Sequence, residues 1–95
     1  MHARVILGMV KLGKQDEATK IYKESVGPAA KVQKGFKRME LLTDPDTRKF
    51  ISITIWENES DMLAGESSGY LQEQLGKIMV LFVGPPTIQH YIVSE

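Results

Sequence analysis

The sequence contains no cysteine, few histidines and no excess of charge of either sign. Without cysteine the chain can form neither disulfides nor thiolate metal sites, and it has no Cys nucleophile. His2 and His90 are its only imidazoles, so a His-rich metal site is not expected. Lys and Arg together number 12, as do Asp and Glu, so there is no basic surplus for binding nucleic acid or an anionic membrane.

Long apolar segments are also missing. No apolar run reaches the roughly 18 residues of a membrane span, and the N-terminal residues lack the apolar core and cleavage pattern of a signal peptide. We therefore expect a cytoplasmic protein. The chain has 95 residues, of which 42% are hydrophobic, and this favours one folded domain spanning residues 1–95.

Apolar periodicity and turn residues predict four strands and two helical regions. The predicted strands are 3–11, 36–43, 49–57 and 87–93, and the predicted helical regions are 14–26 and 59–82. Gly27 and Pro28 are expected to end the first helix in a kink, followed by a short turn over 28–33, because proline lacks a backbone N–H and crowds the preceding turn. Asn58 is expected to cap the second helical region, which is predicted to break near Gly65.

The order of these elements is βαββαβ, the split βαβ arrangement. It predicts an α+β, ferredoxin-like domain with a four-stranded antiparallel sheet and both helices on one face. The first strand is apolar on both sides, which favours a central position in the sheet. The face without helices is expected to carry Phe50, Trp56 and apolar residues of the first strand. Because such a face needs a cover, a second copy of the sheet is the simplest partner and a homodimer is predicted.

Three segments of the sequence, together with the order of elements, carry a family resemblance. They are Gly35 and Phe36 at the start of the second strand, residues 53–60 at the end of the third strand, and the last strand after Gly84, Pro85 and Pro86. The chain resembles the antibiotic biosynthesis monooxygenase (ABM) family over nearly its whole length. This resemblance implies a dimeric α+β barrel, in which two sheets pack face to face and each protomer has a ligand cavity between its sheet and helices.

The resemblance also implies a function. It suggests a dimeric small-molecule-binding protein and, more specifically, a monooxygenase that uses no cofactor and acts on a phenol- or anthrone-like aromatic substrate. The alternative is a non-catalytic ligand-binding or interaction module on the same dimeric barrel. Heme degradation is disfavoured, because family members that perform it carry an Asn on the first strand and a proximal His on the second helix. Here the single Asn is Asn58, and residues 70–74 contain no His.

Trp56 and His90 each allow two interpretations. Trp56 matches the Trp that family enzymes carry in their cavity, where an indole can stack on a planar ligand, but a large aromatic also commonly packs between elements. His90, on the last strand, is a candidate general base near neutral pH. The alternative for His90 is a structural hydrogen bond across the sheet or at the dimer interface.

Four further side chains are candidates for a ligand site. Tyr22 and Tyr70 lie on the apolar stripes of the two helical regions, and the family resemblance implies that their phenols reach the cavity and hold a substrate hydroxyl. They are candidates for both catalysis and substrate binding, although a core tyrosine with one satisfied hydroxyl is the simpler interpretation. Met9 and Met62 would suit an adaptable pocket, because methionine is unbranched and flexible.

Overall fold

The structure is a computed structural model that describes residues 1–94. The strands are β1 (His2–Met9), β2 (Phe36–Asp44), β3 (Lys49–Trp56) and β4 (Thr87–Ile92). The helical elements are α1 (Gln15–Ile21), a π-helical turn (Tyr22–Val26), α2 (Gly27–Lys31), α3 (Glu59–Ser67), α4 (Tyr70–Ile78) and a 3₁₀ turn (Met79–Leu81). The predicted ferredoxin-like α+β class is confirmed. Within residues 1–94, no helix has the length and apolarity needed to cross a membrane.

The four strands form one antiparallel sheet in the order β2-β3-β1-β4. β1 is bonded on both sides, which confirms the central position predicted from its two apolar faces. The register places Arg4 opposite Thr54 on one side and opposite His90 on the other. Residues opposite one another point to the same face, so these three side chains project together.

The helices cover the face of the sheet formed by alternate residues of β3, all of them buried: Phe50, Ser52, Thr54 and Trp56. The prediction that Phe50 and Trp56 lie on the open face is therefore wrong. A period of two separates the faces of a strand, but it does not show which face the helices cover. The large aromatic rings fill the space beneath the helices, and the open face instead carries Ile51 and Ile53, both half-buried.

Aromatic rings form the centre of the core. The Phe50 ring lies edge-on to Tyr22 at 5.7 Å between centroids and tilted against Phe82 at 5.5 Å. Gly8 makes room for this arrangement, because a Cβ atom there would lie 2.6 Å from the Phe82 ring. The aromatic contacts therefore fix the first helical segment and the end of the second against the middle of the sheet.

The first helical segment continues past the proline. Helical backbone runs from Gln15 to Lys31, so the predictions of a helix end at Val26 and of a turn over 28–33 are wrong. Within the π-helical turn the Gly27 N–H donates to the Tyr22 carbonyl, five residues back. Pro28 then lies in the first turn of α2, directly after the π-helical turn.

The second helical region begins as predicted and breaks elsewhere. The Asn58 side chain accepts a hydrogen bond from the Asp61 backbone N–H at 2.9 Å, which confirms the predicted cap. The break lies at Gly69, whose φ is 91°, and the prediction of a break near Gly65 is wrong. Gly65 is buried inside α3 because the Tyr70 ring lies where its Cβ would be. The packing of the Tyr70 side chain therefore explains why residue 65 is a glycine.

Candidate functional site

Two narrow clefts lie between the sheet and the helices. Each has a volume of about 20 Å³, room for roughly one water molecule. They share three lining residues, Ile6, Val26 and Ser52, so they are adjacent parts of one interior. Tyr22 lines the first cleft and Tyr70 lines the second. We call this region the helix-side interior.

Arg4 is the buried charge of this interior, with only 1% of its surface exposed. Its Nη1 donates to the Met62 carbonyl at 2.9 Å and to Glu66 Oε2 at 3.3 Å. Its Nη2 donates to the Tyr70 hydroxyl at 2.9 Å. Among residues 1–94, the Arg4 Nε has no hydrogen-bond partner. A buried guanidinium is tolerated only when it is paired, so these contacts tie α3 and α4 to the central strand.

Trp56 lies against the same guanidinium. The Arg4 guanidinium carbon is 5.1 Å from the centroid of the indole, a cation–π distance. The indole N–H donates to the Thr54 hydroxyl at 2.9 Å, and the ring packs edge-on against Phe36 at 5.8 Å between centroids. Trp56 has no exposed surface. The polar atom of Trp56 therefore has a partner within the protein, and its ring contacts Arg4 and Phe36.

Glu66 extends the network outward to His90. His90 Nε2 lies 2.8 Å from Glu66 Oε2, the same oxygen that accepts from Arg4. Because an ionised carboxylate only accepts, the imidazole Nε2 donates this hydrogen bond. The His90 side chain is 40% exposed, compared with 23% for Glu66. The network thus runs from a buried cation to an imidazole that meets solvent.

The two phenols of the interior are hydrogen-bond donors at neutral pH. Burial raises the pKa of Tyr22 above its usual value of 10.0, and the 2.7 Å hydrogen bond with Ser52 offsets this only in part. Burial also raises the pKa of Tyr70, against the opposing effect of the neighbouring Arg4 charge. Both phenols therefore stay protonated at neutral pH, so each can donate to a substrate oxygen but cannot serve as a base.

The structure brings some of the predicted site residues together and separates others. Tyr22 and Tyr70 line the helix-side interior, and His90 connects to it through Glu66. Met62 is buried, 1% exposed, and contributes its carbonyl to Arg4. Met9 lies apart, because it pairs with Lys49 and projects from the face of β1 opposite to Arg4.

Sequence reasoning did not identify Arg4, Ser52 or Glu66. Arg4 carried a usable signal, since it is a charge between Ala3 and Val5 in a strand that reads as covered on both faces. A charge in such a position must have partners from elsewhere in the chain. Ser52 and Glu66 carried none, because a serine or glutamate at an amphipathic position is ordinarily solvated. Within residues 1–94, no three His, Asp or Glu side chains are grouped as metal ligands would be.

Comparison with known proteins gives a consistent result. The model of a family described as antibiotic biosynthesis monooxygenase matches residues 1–74. A protein from Bordetella bronchiseptica that is named as an antibiotic biosynthesis monooxygenase is 16% identical, with a TM-score of 0.84 over 99% of this chain and 97% of that one. A similarly named protein from Deinococcus radiodurans is 12% identical, with a TM-score of 0.81 over 100% and 94% of the two chains.

A third similar structure is a single-site variant of SnoaB from Streptomyces nogalater, described as a cofactor-independent oxygenase. It is 15% identical, with a TM-score of 0.83 over 99% of this chain and 93% of that one. At such identities the structural likeness shows the fold alone. No curated protein matches the sequence.

Proposed function

Because this chain belongs to the antibiotic biosynthesis monooxygenase family, we propose that it is a dimeric small-molecule-binding protein that acts as a cofactor-independent monooxygenase. Its substrate would be an aromatic compound of the phenol or anthrone type. The observation that supports this best is the helix-side interior, where apolar side chains surround two phenols and a buried guanidinium. Apolar walls with a few converging polar groups are typical of small-molecule sites.

The proposed reaction needs only the substrate and O₂. An anthrone that loses a proton becomes an electron-rich anion, which passes one electron to O₂. The two radicals combine to form a carbon–oxygen bond, giving a hydroperoxide, and loss of water from this hydroperoxide leaves the quinone. One oxygen atom enters the product and the other leaves as water. The protein binds the substrate in a dry site, stabilises the anion and handles the proton.

The residues of the interior suit these tasks. A substrate oxygen beside Tyr70 would receive a hydrogen bond from the phenol, and the adjacent Arg4 charge would favour the anionic form of the substrate. Tyr22, paired with Ser52, provides a second donor on the other side of the shared interior. His90 meets solvent and is our candidate for the general base. Because its Nε2 donates to Glu66, the substrate proton would reach the unprotonated Nδ1 by way of solvent.

The clefts must widen to hold such a substrate. Sites for small molecules usually have about 300 Å³ or more, whereas each cleft has a volume of about 20 Å³. Joining the clefts by rotamer changes at their shared lining would begin to provide this space. The same narrowness is the observation that favours the alternative function, a non-catalytic ligand-binding or interaction module.

The dimer is proposed from the open face of the sheet. Val5 and Leu7 of β1 lie opposite Ile53 and Ile51 of β3, and these four half-buried side chains form an apolar strip that the helices do not cover. Leu42 extends the strip and is 47% exposed. A second copy of this face would cover it, and a stable interface of this kind buries roughly 2,000 Å² in total. The helix-side interior would remain free on the other side of each sheet.

Oxygen uptake tests the proposed activity. An oxygen electrode would follow anthrone oxidation above the spontaneous rate, with absorbance of the quinone as the second signal. Tyr70→Phe should lower kcat by roughly tenfold or more, because it removes a donor to the developing anion. Tyr91→Phe is the matched control, since the Tyr91 hydroxyl bonds Gln89 on the open face of the sheet. Saturable anthrone binding without oxygen uptake would support the non-catalytic alternative instead.

A further inference from the structure

A wider pocket lies outside the helix-side interior, in the gap between the π-helical turn and the edge strand β2. Its volume is about 320 Å³, which is within the range of small-molecule sites. It is lined by Tyr22, Lys23, Gly27, Lys31, Met39 and Leu41. We call this pocket the vestibule.

Two side chains separate the vestibule from the interior. Tyr22 lines both the vestibule and the first cleft, and Met39 lines both the vestibule and the second cleft. Met39 packs against the helix at Gly27, where a Cβ atom would lie at ordinary contact distance, 3.5 Å, from the Met39 sulfur. An unbranched, flexible methionine at this position can change rotamer and connect the two spaces.

The wall of the vestibule is the π-helical turn. Tyr22 is buried and points toward the interior, whereas the next residue, Lys23, is exposed at the pocket. π-Helical turns are rare and frequently occur at functional sites. Here the turn places a phenol on the inner side of the wall and an ammonium group on the outer side.

The segment that forms the helical wall of the vestibule is basic although the whole chain is neutral. Residues 20–38 contain six basic residues and one acidic residue, a net charge of +5, whereas residues 57–73 contain five acidic residues and no basic one, a net charge of −5. Lys23 and Lys31 are the charged residues that line the vestibule itself. Within residues 1–94, neither lysine lies at ion-pair distance from a carboxylate. Such a field attracts anionic ligands and raises their rate of association.

We infer that the vestibule is the entrance for ligand and that it selects planar aromatic compounds bearing a carboxylate. The two ammonium groups would contact the carboxylate, and Met39 and Leu41 would contact the ring. In the same pose, a lysine ammonium group can also lie over the face of the ligand's aromatic ring as a cation–π contact. This inference rests on the proposed function only in taking the helix-side interior as the ligand site.

Calorimetric titration with a matched ligand pair tests the inference. Anthracene-2-carboxylate and anthracene-2-carboxamide have the same ring system and differ in charge. The carboxylate should bind roughly tenfold more tightly at low salt, since both ammonium groups attract it but solvent screens each exposed pair. This preference should weaken as salt is added.

Two double variants test whether the preference for the carboxylate depends on the lysines that line the vestibule. Lys23→Gln with Lys31→Gln should abolish the preference for the carboxylate, whereas Lys20→Gln with Lys34→Gln should retain most of it. Both pairs remove two charges from exposed lysines of the same segment, but only the first pair lines the vestibule. Equal affinity of the two ligands for the unmodified protein, equal selectivity of the two double variants, or no binding of either ligand would overturn the inference.

Different experimental results would contradict the inference about the vestibule and the proposed monooxygenase activity. Anthrone carries no carboxylate, so its oxidation does not depend on the vestibule lysines. Absence of oxygen uptake, together with preferential binding of the carboxylate, would contradict the proposed monooxygenase activity and would still support the vestibule as the ligand entrance. Normal anthrone oxidation without charge selectivity would contradict the entrance alone.

Discussion

The guanidinium carbon of Arg4 lies 5.1 Å from the ring centroid of Trp56, in a part of the core where neither side chain has more than 1% of its surface exposed. Trp56 supports the guanidinium from the sheet, and Tyr70 and Glu66 bond it from the helices. One residue of the central strand therefore orients groups from three other elements. In the proposed function this arrangement holds a positive charge beside the substrate oxygen, already paired and fixed before the substrate binds.

Trp56→Phe should lower the free energy of unfolding by about 1–3 kcal/mol, because it removes the hydrogen bond to Thr54 and part of the surface beneath Arg4. The affinity for an aromatic ligand should change by less than about threefold, since a phenylalanine keeps much of the buried volume. Thermal melting and calorimetric titration on this one variant give both quantities. A large loss of affinity with unchanged stability would instead make Trp56 a direct ligand contact.

Gly65→Ala should destabilise the protein although alanine is the better helix former. The new Cβ would meet the Tyr70 ring, and moving that ring disturbs its hydrogen bond with Arg4. Gly76→Ala is the matched control, because a Cβ at this exposed position of α4 has nothing within 4 Å. It should stabilise the protein by about 0.5–1 kcal/mol. Urea unfolding of both variants checks the opposite signs, and two stabilised variants would contradict the packing described for Tyr70.

Alkaline pH should destabilise the protein partly through Tyr22. Burial raises the pKa of this phenol in the folded state, so the folded chain keeps a proton that the unfolded chain loses above about pH 10. The resulting stability is complete below that pH and is lost as the pH rises toward the folded-state pKa.

Tyr22→Phe removes this proton linkage. The variant should be less stable than the unmodified protein at neutral pH, since Ser52 loses its partner, but its stability should fall less steeply between about pH 9 and pH 11. The comparison variant is Tyr91→Phe, which removes a half-exposed phenol outside the core. Chemical unfolding at several pH values measures these slopes. Identical slopes for all three proteins would show that Tyr22 does not titrate as described.

Sedimentation equilibrium at micromolar concentration should give twice the chain mass of 10.7 kDa. Ile53→Arg should yield monomer, because Ile53 lies in the middle of the apolar strip on the open face. Ile92→Arg is the matched control. Ile92 lies on the edge strand β4, is 75% exposed and projects to the helix side of the sheet. This change should therefore leave the dimer intact. A monomeric unmodified protein would exclude the proposed interface.

The fold was accessible from sequence because its signals are local. Alternation over 49–57 and the turn residues before it are enough to predict a hairpin, and the apolar character of β1 is enough to place it centrally. The predictions that were wrong concern a proline and a glycine. Pro28 and Gly65 were interpreted as interruptions, but a π-helical turn accommodates the first and the ring of Tyr70 explains the second. Neither cause can be read from the neighbouring residues.

The candidate site was less accessible, because it depends on which face of the sheet the helices cover. Once that face is known, the pairing of Arg4 with Thr54 and His90 follows from the register. The contacts of Glu66 with Arg4 and with His90 join residues more than 20 positions apart, and no periodicity indicates them. Tyr22 and Tyr70 were found because a tyrosine on an apolar helical stripe has a hydroxyl that needs a partner.

The central claim is that the helix-side interior, rather than the open face of the sheet, receives the ligand. Methionine methyl groups report on both, because Met39 lines the interior and the vestibule, whereas Met9 lies on the open face. A titration of methyl-labelled protein with anthracene-2-carboxylate, followed by NMR, should shift the Met39 signal saturably and leave Met9 unchanged. A saturable shift of Met9 with Met39 unchanged would place the ligand on the open face and contradict the account.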